Sequence, residues 1–130
     1  MKLNYYKDKY IELYVEDGIM YHVYGKDVVI TLEIAQHITQ KRIEASGGFS
    51  YPLLIDSRDF KSMSKEARHY WSKSQDAQKY VLAGAGLIYN PIYSLIGNAF
   101  LMIDKPIKPF KLFTEKAAAL KWLDHYKNVN

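Results

Sequence analysis

The side chains best placed to do chemistry lie between Asp56 and Ser64. Asp56, Ser57, Arg58 and Asp59 follow directly on a short apolar run, Leu53-Leu-Ile55. Asp56 or Asp59 could serve as a general base or hold a hard cation. A quieter arrangement is favoured: Arg58 pairs with one carboxylate, and the short acidic side chains bond their own loop amides. Ser62 and Ser64 come next. Ser64 precedes a helical pattern and is suited to cap it. A strand that ends in Asp and opens through serines into a helix start is where α/β domains place working groups.

Other reactive types are scattered. His22, His37, His69 and His125 show no ligand spacing, and each is expected at the surface or a rim. Cysteine is absent, which excludes a thiol nucleophile, a thiolate metal site and a disulfide. No Gly-x-Ser-x-Gly turn occurs. Gly84-Ala-Gly86 lies inside an apolar run rather than in the turn after it, and Tyr89 stands where a third glycine would belong. A dinucleotide loop is thereby excluded, and close packing of a helix on a small-residue strand is expected instead. No catalytic residue, cofactor or metal is assigned.

The formal net charge is +4 and the pI about 9.1. The lysines are spread singly, apart from Lys41-Arg42, and the densest basic stretch, Lys105, Lys108 and Lys111, is broken by prolines. This scatter disfavours a nucleic-acid partner. Neither a leader nor a membrane span is legible, so a cytoplasmic protein without a transmembrane segment is expected.

The elements that must position these groups follow from periodicity. Tyr10–Glu16 alternates, with Ile11, Leu13 and Val15 on one side and Glu12 and Glu16 on the other. It predicts a half-buried strand. Asp17-Gly18 marks a hairpin turn into a second strand, 19–24. Thr31 caps a helix that Gly47-Gly48 ends. Leu53–Ile55 reads as a strand covered on both faces. Ser64 opens a second helix; 80–89 is a central strand; Asn90-Pro91 opens a third helix. Ile92, Leu95, Ile96, Ala99, Phe100 and Ile103 recur at helical spacing and form its main stripe. Phe110–Phe113 is a last short strand, and Thr114 caps a final helix with Ala118, Ala119, Trp122, Leu123 and Tyr126 inward. The order β-β-α-β-α-β-α-β-α implies one α/β domain over 1–130. Its sheet is mixed and mostly parallel, with an antiparallel N-terminal hairpin.

Two surfaces stand out for contact. Tyr5, Tyr6, Tyr10, Tyr14, Tyr21 and Tyr24 crowd the hairpin, and Tyr14 falls on the glutamate side, where part of the cluster is open to a partner. In the third helix Tyr93, Leu101 and Met102 lie off the main apolar stripe. A helix this apolar is either buried all round or faces a homodimer partner or a ligand groove.

The element order resembles the STAS domain of anti-sigma-factor antagonists, related in shape to Sec14-type domains. The resemblance runs along the whole chain. It rests on Leu53-Leu-Ile-Asp56, on the helix opening Ser62-Met-Ser-Lys-Glu-Ala67, and on Pro109-Phe-Lys-Leu-Phe113 followed by Ala117-Ala-Ala-Leu-Lys-Trp-Leu123. It implies a non-enzymatic regulatory domain that binds a protein partner and is modulated by phosphorylation of a serine at the second helix start. The matching hydroxyls are Ser62 and Ser64, although Ser-Met-Ser-Lys-Glu stands where the family has Asp-Ser-Ser-Gly. Asp56 and Ser57 complete that phospho or partner site. The alternative is a small carrier holding a lipid or other apolar ligand under the third helix.

Overall fold

The computed structural model describes residues 1–103 and 105–127, apart from the side chains of Phe100 and Ile103. Three antiparallel strands come first: β1 (Leu3–Lys7), β2 (Ile11–Glu16) and β3 (Ile19–Tyr24). Asp17 and Gly18 join the last two, both with positive φ (52° and 77°). That turn matches the natural twist of a tight hairpin. The short β4 (Val29–Ile30) leads into α1 (Leu32–Ser46), capped by Thr31 and closed by Gly47 in the left-handed region. Next come β5 (Tyr51–Asp56), the short β6 (Ser62–Met63) and α2 (Lys65–Lys73). The chain finishes with β7 (Val81–Leu87), α3 (Pro91–Ile103), β8 (Phe110–Phe113) and α4 (Lys116–Asp124).

The main sheet runs β1-β2-β3-β5-β7-β8, and its last three junctions are parallel. This is the expected mixed α/β architecture with an antiparallel beginning. The opening strand β1 was not legible in sequence. Asn4 has φ 54° and the register shifts between Leu3 and Tyr6, so the period-two pattern is broken where it would be read.

Both faces of the sheet are covered. Ile11, Leu13 and Tyr24 pack beneath Ala35 and Ile38 of α1 and Ala67 of α2. Tyr14, Tyr21, Leu54, Ala83 and Ala85 pack beneath Ala119 and Leu123 of α4. The expectation of a half-buried β2 with Tyr14 on an open side is therefore corrected: Tyr14 is buried and stacks on Tyr21 with ring centroids 4.7 Å apart. Burial also pushes its hydroxyl pKa up to about 12. Such a ring pair contributes roughly 0.5–1.5 kcal/mol beyond its buried area.

The small residues of β7 serve two neighbours. Its alanines admit α4. Its glycines admit side chains of the adjacent strand, since a β-carbon would stand 2.7 Å from Phe110 Cδ2 at Gly84 and 2.8 Å from Leu112 Cδ2 at Gly86. The last helix differs from expectation at its start. Its cap position is Glu115, without a side-chain bond, because Thr114 follows directly on β8 and lies one residue too early. Ala118, expected inward, is exposed.

Candidate functional site

The ends of the parallel strands β5 and β7 meet at one corner. The Ser57 amide donates to the Leu87 carbonyl at 3.1 Å, which fixes the start of the loop. Arg58 folds back on Asp56: its amide and Nε donate to Oδ1 at 3.2 and 2.8 Å, and Nη2 donates to Oδ2 at 2.6 Å. Burial pulls the Asp56 pKa upward, but bonds from Arg58 and the charges of Arg58 and Lys116 outweigh it, and the net shift is downward. Arg58 is correspondingly held protonated, chiefly by its bond to Asp56. Its guanidinium also lies 5.7 Å from the ring centre of Tyr89, just before α3. Both oxygens of Asp56 are thus engaged by a fork-shaped donor. The quieter arrangement expected from sequence is the one present, and it leaves Asp56 poorly suited to take a proton.

Ser62 and Ser64 are placed by a pairing that sequence patterns do not reveal. β4 and β6 run parallel, with Val29 opposite Ser62 and Ile30 opposite Met63. The Ser64 amide donates to the Ile30 carbonyl at 2.9 Å. The starts of α1 and α2 consequently lie side by side. Ser64 Oγ accepts from the Ala67 amide at 3.1 Å and is half-buried, so its hydroxyl works as a cap. Ser62 is exposed. Among the described residues, no cluster of His, Cys, Asp and Glu could hold a metal ion.

The third helix turns the described positions of its main apolar stripe to solvent. Leu95 is 74% exposed, Tyr93 66% and Met102 78%, with Ile92, Ile96 and Ala99 exposed as well. Its inward side is polar and small. Asn98 Nδ2 donates to the Leu112 carbonyl at 3.1 Å, the Leu112 amide donates to Asn98 Oδ1 at 2.8 Å, and Ser94 Oγ donates to the same carbonyl at 3.3 Å. A β-carbon on Gly97 would overlap the Leu112 side chain. The free edge of β8 explains this choice. Its peptide groups need partners, and the Asn98 amide supplies a donor and an acceptor at strand spacing. Phe100 and Ile103, the remaining positions of the stripe, have side chains outside the described residues.

Of the remaining contact candidates, Leu101 is half-buried and lines a groove with Met102, whereas Tyr14 sits in the core beneath α4 and belongs to neither. That groove, about 520 Å³, runs between the end of α3, the 105–109 loop and β8, with Trp122 of α4 at its far wall.

Sequence reasoning missed two groups. His22, expected at a rim, is buried on β3 with no hydrogen-bond partner for either ring nitrogen. Burial, reinforced by the charge of Arg42, pushes its pKa down to about 3. Its position between Met20 and Tyr24 on the α1–α2 side was the available signal. Arg42 is itself buried, and donates to the Lys79 and Ala77 carbonyls at 2.7 and 2.8 Å. The second group is Asp8, 2.7 Å from His37 Nε2. Burial pulls Asp8 upward, but bonds from His37, Tyr6 and the amides of Tyr10 and Ile11 prevail and set its pKa at about 2.

A mixed sheet that passes from antiparallel to parallel, with α1 and α2 on one face and α4 on the other, defines a SpoIIAA-like fold. An uncharacterised DUF3478-family protein from Shewanella loihica PV-4, described with that fold, is 18% identical, with 87% of this chain and 91% of that one covered and a TM-score of 0.57. A protein of unknown function from Arthrobacter sp. FB24 is 22% identical, with 91% and 94% covered and a TM-score of 0.35. The chain belongs to the family described as a domain of unknown function, DUF7793, whose sequence model matches residues 13–127. No curated protein matches it. Among the described residues, no helix is long and apolar enough to cross a membrane.

Proposed function

We propose that this chain is a non-enzymatic, STAS-like regulatory domain that docks a protein partner through the outer face of α3. The observation that carries this reading is the orientation of α3, which turns Ile92, Leu95 and Ile96 to solvent while its polar side closes the edge of β8. Residues 80–103 contain no charged side chain. The complementary partner therefore presents an uncharged apolar groove that receives anchors at helical spacing. Exposed apolar surface concentrated on one helix marks a contact site rather than ordinary surface.

Ser62 is the hydroxyl open to modification, because Ser64 is occupied as a cap. A phosphate at Ser62 would add about 1.5–2 negative charges beside the start of α2.

The test is reconstitution. A partner captured with the wild-type chain is purified, and a one-to-one complex is measured by sedimentation. The complex should form with the wild type and with Ser64→Ala and be lost with Leu95→Asp. Unchanged binding by Leu95→Asp would remove α3 from the interface. A wild-type chain that pairs with itself through α3, and loses that pairing in Leu95→Asp, would replace the foreign partner by a second copy.

A further inference from the structure

The groove at the β8 edge has a composition distinct from the docking face of α3. We propose that it binds a single-chain anionic amphiphile of the long-chain fatty-acid type. Its walls are apolar, formed by Leu101 and Met102 of α3, Phe110 of β8 and Trp122 of α4. Three lysines, Lys105, Lys108 and Lys111, are its charged members, and no carboxylate is among the described residues that line it. An apolar trough whose described lining carries lysines and no carboxylate matches a ligand with one anionic head and one hydrocarbon tail. The volume of about 520 Å³ falls within the span of roughly 300–1,000 Å³ usual for small-molecule sites.

The groove stands ready before anything enters. Its 105–109 loop is tied to the end of α2, with the Ile107 amide donating to the Ser72 carbonyl at 3.1 Å and Lys73 Nζ donating to the Lys105 carbonyl at 2.8 Å. The Gly84 amide holds the Pro109 carbonyl at 2.9 Å, so the loop is fixed to β7 as well. Pro106 and Pro109 stiffen the span between these ties. Preorganised walls avoid the ordering cost that weakens a ligand held by mobile loops.

Other anionic occupants fit less well. An extended acidic peptide would pair with the edge of β8, but the amide and carbonyl of Leu112 are already bonded to Asn98. A nucleotide needs several directed polar contacts for its base and sugar. Apart from the lysines, the described lining offers as polar groups only the Trp122 indole N–H and the Asn98 amide, and Asn98 is engaged.

Dodecanoate below its micelle concentration is the probe, titrated into the full chain by calorimetry and followed by the amide NMR shifts of residues 105–111. Saturable one-to-one binding is expected, with dodecanol bound at least about tenfold more weakly. The double variant Lys105→Glu/Lys108→Glu, which alters exposed and half-exposed loop side chains, should melt like the wild type and lose at least about tenfold in affinity. Absence of saturable binding overturns the proposal. So does equal affinity for dodecanol, or undiminished binding by the double variant. Cosedimentation with phosphatidylglycerol vesicles in the absence of dodecanoate binding would assign the same chemistry to a bilayer surface, and would equally overturn it.

Discussion

Among single side chains, His22 makes the sharpest demand on the fold. Both ring nitrogens are buried without partners, and such a group costs about 1–3 kcal/mol relative to an apolar side chain of similar shape. His22→Leu should therefore raise the unfolding free energy by about that amount in chemical denaturation at pH 7. The sign of the pH dependence follows from the depressed pKa. Below pH 6.5 the unfolded chain takes up a proton that the folded chain refuses until about pH 3. Stability is thus level above pH 6.5 and falls as the pH drops toward 3, by at most about 1.4 kcal/mol per unit. The His22→Leu variant should lack this limb. Asp8 adds a lower one: its carboxylate contributes stability above its ordinary 3.8, and this is lost as the pH falls toward 2. A limb between pH 6.5 and 4 that persists in His22→Leu would show that another group is responsible.

At the scale of elements, the edge of β8 governs the third helix. Asn98 bonds both peptide groups of Leu112, and no other side chain among the described residues does so. Asn98→Leu should leave the Leu112 amide unpaired, with its carbonyl held by Ser94 Oγ alone, and cost about 1–3 kcal/mol. Hydrogen exchange at the Leu112 amide should accelerate while the Ala83 and Ala85 amides stay protected. Unchanged exchange at Leu112 would mean that water replaces Asn98 without loss. The start of α2 follows the simpler logic of a cap. Ser64→Ala should cost about 1 kcal/mol, read as a lower melting temperature, with the β4–β6 pairing retained through the Ser64 amide.

Across the whole molecule, burial and not hydrophobicity separates the residues that hold the fold from those that serve contact. Leu87 is fully buried in the α4 layer, while Leu95 on α3 is 74% exposed. Leu87→Ala should cost about 2–5 kcal/mol, whereas Leu95→Asp should change stability by less than about 0.5 kcal/mol. The same substitution should reduce the binding of a dye that reports exposed apolar surface. A large destabilisation by Leu95→Asp, measured by denaturant melts, would place α3 within the core and remove the docking face.

Local chemistry was legible in the chain itself. Asp17-Gly18, Thr31 with Gly47, Ser64 and Asn90-Pro91 set turns and helix ends because each acts through its own backbone and near neighbours. The pairing of Arg58 with Asp56 belongs with them, as it spans two residues. Periodicity likewise ordered the strands and helices well enough to indicate a mixed sheet. It identified the apolar side of α3, yet periodicity carries no information about which side meets the sheet. That was decided by the unpaired edge of β8, a requirement created only when distant strands align. The burial of Tyr14 and His22 has the same origin. Alternation along β2 and β3 distinguishes two faces, and only the positions of α1, α2 and α4 determine that both are covered.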